Sequence, residues 1–300
     1  MREYFVIKTK ICFAVTLICC LCSCQSKVEA ITTATIPTFN EVTYQSEGTT
    51  ISGGLWLPEK KGPHPAMVIV HGSGRATKNA AHYMALHFVE MGFAVLSHDK
   101  RGVGKSEGTY VGRFNTSKEN LELLAKDVSA GVEFLKTRSD IDTNQIGLYG
   151  WSQAGWITPI VASMQEGLKF SILISGPTVT VGEENYYSQL TGDGSVNPGL
   201  SREEMSRKLK ERGPYGVDPM PLLKKMNMPG LWLLGDADQS IPIPETVANL
   251  DKLINEDNRN FTYHVFDRAN HGLRVNGVMV KDYWKLQDNF LLEVVKINVP

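Results

Sequence analysis

The residues best suited to covalent chemistry lie at 150–155, Gly150-Trp151-Ser152-Gln153-Ala154-Gly155. An apolar run at 145–149 precedes them, and a helical pattern starts at Ala154. A serine between strand and helix in a G-x-S-x-G pattern is a nucleophile presented on a sharp turn. Such a turn forces the serine into strained backbone angles and brings strand and helix nearly into contact, so its flanking positions must be small. Gly150 meets that demand, and so does Ala154, where a second glycine is usual. A competing motif fails on inspection. Gly104-Lys105-Ser106 ends like a phosphate-binding loop, but Asp99 stands five positions before Gly104 where that loop needs glycine. A carboxylate there repels phosphate, and Gly108-Thr109-Tyr110 follows where a helix should begin. The sequence has no H-E-x-x-H and no paired-histidine spacing, and its one C-x-x-C, Cys19 to Cys22, lies in the apolar amino-terminal segment, so it implies neither a metal nor another cofactor.

The elements that must hold Ser152 read as alternating strands and helices. Strands at 41–45 and 50–57 flank the turn Ser46-Glu47-Gly48 and form an antiparallel hairpin. The run 66–70 (AMVIV) is apolar without alternation, the mark of a strand covered on both faces. A helix at 79–91, a strand at 93–97 and a long amphipathic helix at 117–137 follow, the last with Leu121, Leu124, Val128, Val132 and Leu135 at helical spacing. Then come strand 145–149, a helix from 154, strands 170–175 and 230–234, a helix at 245–255, strand 261–266 and a helix at 281–296. This order predicts an α/β protein with a mostly parallel, eight-stranded sheet and helices on both faces. One stretch breaks the alternation. Residues 176–225 are polar and punctuated by Gly and Pro, too long for an ordinary connection, and are predicted to form a small helical cap over about 177–225. Its clearest helix is 201–212, with Ser201 and Glu204 spaced as a capping box and its charges on a solvated face.

The 300 residues carry 42% hydrophobic and 21% charged side chains, a balance that excludes wholesale disorder. With 31 basic and 32 acidic residues there is no electrostatic footprint for nucleic acid. All five cysteines lie within the first 24 residues, which excludes a disulfide framework and a thiol enzyme. That segment reads as an export signal: Arg2, Lys8 and Lys10 precede an uncharged apolar stretch at 11–21, too short to span a bilayer. Leu21-Cys22-Ser23-Cys24 resembles the bacterial lipobox, which makes Cys24 the expected site of lipidation and 25–38 a tether. Gln25 after the cysteine implies an exported lipoprotein of the outer membrane, touching membrane through that anchor alone. Loss of the leader removes three basic residues and one acidic residue, leaving a net charge of −3.

Taken together, the motifs resemble a serine hydrolase of the α/β-hydrolase fold, most closely the secreted bacterial carboxylesterases. The likeness runs from about 43 to 295, with the hydrolase domain placed at 39–300. Beside the serine turn it rests on three motifs at the ends of other strands. His71-Gly72-Ser73-Gly74 stands where the family has its oxyanion loop, and Gly235-Asp236-Ala237-Asp238-Gln239-Ser240-Ile241-Pro242 resembles G-x-x-D-x-x-[VI]-P. Asn270-His271-Gly272 follows the last strand, which completes the chain order Ser, Asp, His. The resemblance implies Ser152 as nucleophile, His271 as general base and then acid, and Asp238, three positions after Gly235, as the residue orienting the imidazole. It implies the backbone N–H groups of Ser73 and Gln153 as oxyanion donors. Asp236 is expected to shape its loop, His71 to brace its own, His264 to be structural, and Arg101 of Asp99-Lys100-Arg101-Gly102 to act as a clamp. Tyr186 and Tyr187 are read as core of the cap rather than lining of an acyl pocket.

The implied substrate is a small carboxylic ester. Export argues against acyl-CoA substrates, and Ser152 argues against the usual cysteine-dependent dienelactone hydrolases. Prolyl oligopeptidase-type peptidases carry a large added domain that 300 residues do not hold. A small aminoacyl or dipeptide hydrolase of the same fold and a catalytically inactive binding protein are the alternatives.

Overall fold

Covered on both faces, the apolar runs of the sequence form the middle of one sheet. A computed structural model describes residues 39–112, 115–193 and 198–295; the expected export segment, Cys24 and the expected tether lie outside them. The chain runs β1 (Asn40–Ser46), β2 (Thr49–Trp56), β3 (His64–Val70), α1 (His82–Glu90), β4 (Ala94–His98), α2 (Lys118–Lys136), β5 (Ile141–Trp151), α3 (Ala154–Met164) and β6 (Ser171–Ile174). It continues through α4 (Val181–Thr191), α5 (Arg202–Arg212), α6 (Met220–Leu223), β7 (Gly230–Gly235), α7 (Ile243–Asn255) and β8 (Phe261–Phe266). A short hairpin, β9 (Arg274–Val275) and β10 (Val278–Met279), leads into α8 (Tyr283–Val294). The eight-stranded sheet has the order β1-β2-β4-β3-β5-β6-β7-β8. The β1–β2 and β2–β4 pairs are antiparallel, and every pair from β4 to β8 is parallel. This is the α/β architecture that the sequence predicts.

Alternate side chains of the central strands feed two cores. On one face Val68, Val70, Leu148 and Leu234 pack against Leu121, Leu124 and Val128 of α2, Ile157 of α3 and Leu250 of α7. On the other, Met67, Ile69, Tyr149 and Leu233 pack against Phe88 of α1 and Phe290 and Leu291 of α8. Both cores stop at the carboxyl ends of the strands, where loops take over, and there open α/β sheets carry their sites.

Between β6 and β7 the chain forms α4, α5 and α6 rather than a simple connection. Thr180 and Glu183 cap α4 with a full two-way box, whereas at α5 Ser201 Oγ accepts from Glu204 N–H at 3.2 Å and supplies the forward arm. The insert docks onto the loop after β7. Tyr187 Oη donates to Asp238 O at 3.1 Å, Thr191 Oγ1 to Gln239 O at 2.5 Å, and an Arg202 guanidinium nitrogen to Asp236 O at 2.8 Å.

The loop after β4 is stapled by charge. Asp99 accepts from the backbone N–H groups of Lys78 and Lys105 and from Lys78 Nζ, at 2.8, 2.8 and 3.0 Å. A side chain at Gly104 would collide with that carboxylate, its Cβ falling 2.4 Å from Asp99 Oδ2. The apparent phosphate loop is therefore wrapped around a carboxylate of its own. Arg101 forms a buried ion pair with Asp127 of α2 and donates to Ser46 O at 3.1 Å, so one guanidinium ties together helix, loop and amino-terminal hairpin. Removing one partner of such a pair strands a buried charge, at a cost of about 3–5 kcal/mol. Asp127→Ala is expected to lose that much stability in denaturant unfolding, and a loss below about 1 kcal/mol would show that the clamp does not hold these elements together.

Candidate active site

Ser152 sits at the end of β5 with φ of 56°, in the left-handed region where a non-glycine residue is strained. Close packing enforces the turn. A Cβ on Gly150 would lie 2.4 Å from Ala154 Cβ and 2.8 Å from Val70 O, and one on Gly155 would lie 2.5 Å from Pro177 O. Only the first and third small positions thus require glycine, while the position between them has room for the methyl of Ala154.

The end of β6 draws two distant segments together. Ser152 N–H donates to Ile174 O at 2.9 Å, and Ser175, the next residue, donates through its hydroxyl to His271 O at 2.8 Å. Ser175 itself is left-handed, with φ of 48°. The His271 loop is shaped by Asn270, whose side-chain oxygen accepts from Gly272 N–H at 3.1 Å and Arg274 N–H at 3.0 Å. The β9–β10 hairpin that follows turns through Asn276-Gly277, both with positive φ, and returns to bond Leu273 O through Val280 N–H at 3.0 Å. Sequence reading missed this hairpin although its Asn-Gly pair is a strong hairpin signal.

His271 Nδ1 lies 2.7 Å from Asp238 Oδ2. The other oxygen of Asp238 accepts from Ser240 N–H at 2.8 Å and Ile241 N–H at 3.0 Å, and the side chain is fully buried. Both carboxylate oxygens are thus committed, which keeps Asp238 fixed and the Nδ1 proton on the carboxylate side. His271 Nε2 is left for chemistry. Burial alone would depress the His271 pKa, but the Asp238 hydrogen bond and charge, together with Asp193 and Glu184, raise it above the ordinary value. Ser152 Oγ has no hydrogen-bond partner among the described residues; bonds of this kind commonly tighten only when substrate is present.

The two expected oxyanion donors are open. Neither Ser73 N–H nor Gln153 N–H donates to another described group. Ser73 O is held by Tyr110 Oη at 2.9 Å and Asn115 Nδ2 at 3.1 Å, and Gln153 Nε2 donates to Asn115 O at 2.7 Å.

The remaining candidates fall into supporting places. Nε2 of buried His71 is 2.6 Å from His98 O, and burial depresses its pKa to about 4, so the neutral ring braces its loop. His264 lies exposed on the edge strand with its ring against Phe266 rather than in the core. Tyr187 is buried with Met205 and Leu209, and the Arg212 guanidinium stacks over Tyr186. Asp236 differs from expectation. Its carboxylate faces Arg202 of the insert at 3.6 Å, so it latches the cap instead of shaping its own loop. Among the described residues no group of three metal-ligating side chains comes together. A cavity of about 500 Å³ lined by Ser117, Ile160, Val217 and Leu222 lies beside the insert and includes neither Ser152 nor His271.

A model of the prolyl oligopeptidase family matches residues 79–298. The chain belongs to this family. Thiohydrolase apmlB of Arthrinium phaeospermum is 28% identical over 128 residues, 43% of this chain and 39% of that protein. Esterase EstD of Thermotoga maritima is 25% identical over 262 residues, 76% of this chain and 58% of its own length. The chain thus spans less than two thirds of either relative. A solved esterase of Pyrococcus furiosus superposes with a TM-score of 0.63 at 18% identity, over 86% of this chain and 91% of that one. The fold is the α/β-hydrolase fold. The match falls on the hydrolase domain itself, so membership of this family does not depend on the large added domain of its peptidases, and the expectation drawn from its absence is corrected.

One carboxylate escaped sequence reading. Glu184 of α4 stands one helical turn before Tyr187, on the face that meets the Asp238 loop, and burial pushes its pKa up to about 7. When ionised it favours protonated His271. Glu184→Gln is therefore expected to lower the His271 pKa, followed by NMR titration of the imidazole; an unchanged or higher value would remove Glu184 from the field at the histidine.

Proposed function

We propose that the protein hydrolyses small carboxylic esters through an acyl-enzyme intermediate, with Ser152, His271 and Asp238 as the triad. The observation that carries this reading is the fixed Asp238–His271 pair, gathered at the sheet edge with the strained turn that presents Ser152. Ser152 Oγ attacks the acyl carbonyl while His271 Nε2 takes its proton, and Asp238 stabilises the imidazolium. The oxyanion of the tetrahedral intermediate draws on Ser73 and Gln153 N–H. His271 then protonates the departing alcohol, and water repeats the sequence on the acyl-enzyme. Because only neutral His271 is a base, activity falls as pH drops through its raised pKa.

Family membership favours a second substrate class, a short aminoacyl amide or dipeptide, processed by the same residues. A panel of matched esters and amides on the purified protein separates the two. Ser152→Ala is expected to abolish both turnover and fluorophosphonate labelling, whereas an inactive binding protein would not label at all. Replacing the triad acid by Asn favours the wrong imidazole tautomer and costs about 10⁴ in kcat in the best-studied serine protease. Asp238→Asn should lose orders of magnitude in kcat, and Asp236→Asn less than about tenfold; the reverse ranking would transfer the role.

We further propose that Cys24 carries a lipid anchor that holds the enzyme at the outer membrane. The support is the lipobox-like Leu21-Cys22-Ser23-Cys24 followed by Gln25, outside the described residues. Cys24→Ala should abolish palmitate labelling in cells and release the protein, and persistent labelling would refute the anchor.

A further inference from the structure

Lys100 is a buried ammonium that the mechanism above leaves without a task. It is 2% exposed and lies in the loop after β4, among the largest fully buried side chains of the molecule. A buried charge is normally paired, yet among the described residues no carboxylate lies within ion-pair distance of Lys100 Nζ. Its neighbour Asp99 is turned away toward Lys78 and the Lys105 N–H. Lys100 Nζ instead donates to Gly72 O at 2.8 Å and to Gln153 Oε1 at 3.2 Å. It thus joins the two segments that supply the expected oxyanion donors.

The first of those bonds has a geometric consequence. Gly72 C=O and Ser73 N–H belong to one peptide unit, planar and trans, so they point in opposite directions. Fixing Gly72 O on Lys100 therefore aims Ser73 N–H away from Lys100, along the peptide dipole. The chain from ammonium through C=O and N–H to an oxyanion is a row of hydrogen bonds in which each member polarises the next. The second bond holds the Gln153 side chain, whose Nε2 is fixed by Asn115 O, next to its own backbone N–H.

We propose that Lys100 is a positioning residue of the oxyanion hole: its charged form orients and polarises the Gly72–Ser73 peptide and locks it to Gln153, so that both donors are set before substrate arrives. This rests on the serine-esterase reading of the site. Burial lowers the Lys100 pKa to about 8. The titratable and charged groups around it are His71, His98, Asp99, Tyr110 and Arg75. His71 and His98 are held neutral by burial, Asp99 is occupied by Lys78, and the Tyr110 ring lies 5.8 Å from Lys100 Nζ and under Arg75. Neutralising Lys100 should therefore produce a fall in kcat/KM as pH rises through about 8.

The test is the pH profile of kcat/KM for an aryl ester, corrected for spontaneous hydrolysis, in the wild type, Lys100→Met and Lys100→Arg, with fluorophosphonate labelling of each. The wild type is expected to show the alkaline fall. Lys100→Met should lose about 10²-fold in kcat, the scale for one oxyanion donor, with KM within about threefold and no alkaline fall near pH 8. Lys100→Arg, whose charge does not titrate in this range, should recover most of the activity without that fall. A wild-type profile flat to pH 10 would overturn the proposal. So would a Lys100→Met enzyme that retains kcat within threefold, or one that keeps the alkaline fall. If Lys100→Met does not fold, the wild-type and Lys100→Arg profiles decide alone. Failure of the underlying reading looks different, because a wild type that neither labels nor turns over ester fails whatever Lys100 does.

Discussion

A left-handed turn at a non-glycine residue costs about 1–3 kcal/mol and persists only where the surroundings over-determine it. At Ser152 the surroundings are the strand and helix on either side, so close that Gly150, Ala154 and Gly155 leave no room for larger side chains. The rest of the sheet edge is arranged to sustain this one constraint. Ile174 O receives the Ser152 N–H, Ser175 hooks the His271 loop to the same strand end, and Gly235 lets the acid loop pass against Ala269, whose oxygen would lie 2.4 Å from an added Cβ. Strain at the turn, close approach at the glycines and convergence of three loops are parts of a single packing problem.

Charge solves the second problem, that of holding long loops still at the edge of an apolar core. Asp99 fills the inside of its loop and collects three donors, while Arg101 and Asp127 fasten the loop to α2. These groups are deeply buried, so they resist solvent screening far better than the exposed pairs such as Lys105–Glu41 and Arg207–Glu211, which contribute little. The insert meets the loop after β7 through more exposed groups, Arg202 on Asp236 and the Asp193 carboxylate on the Ser240 hydroxyl. The insert therefore contacts the same loop that carries Asp238.

Much of this was readable in the residues because burial leaves marks in composition. The strand at 66–70 shows no alternation since both its faces are covered, and α2 shows its helical stripe since one face is. The order of small residue, serine and small residue between strand and helix betrays the turn. What could not be read has a common physical cause. Whether a polar side chain such as Lys78, Lys100 or Glu184 ends in solvent or beneath a loop depends on contacts between residues far apart in the chain. Helix α4 leaves little amphipathic stripe in the sequence because its few buried residues, Val181, Tyr187 and Thr191, are divided between the main core, the insert's own cluster and the loop after β7. The role of Asp236 was misjudged because its partner, Arg202, belongs to that same insert.

The constraints on the reacting groups and on the insert beside them have different sources. In the proposed mechanism, attack, oxyanion support and proton transfer fall to Ser152, His271, Asp238 and backbone groups, and the same set would serve an ester or an amide. The turn at Ser152 and the Asp238 carboxylate are fixed by close packing and by backbone donors. The insert has a small cluster of its own around Tyr187, Met205 and Leu209, but Val181 of α4 and Leu223 of α6 are buried in the main core, and Tyr187 and Thr191 bond the loop after β7. Close packing thus holds the serine turn, and α4 and α6 are seated on the same core, so the insert and the sheet edge are stabilised together.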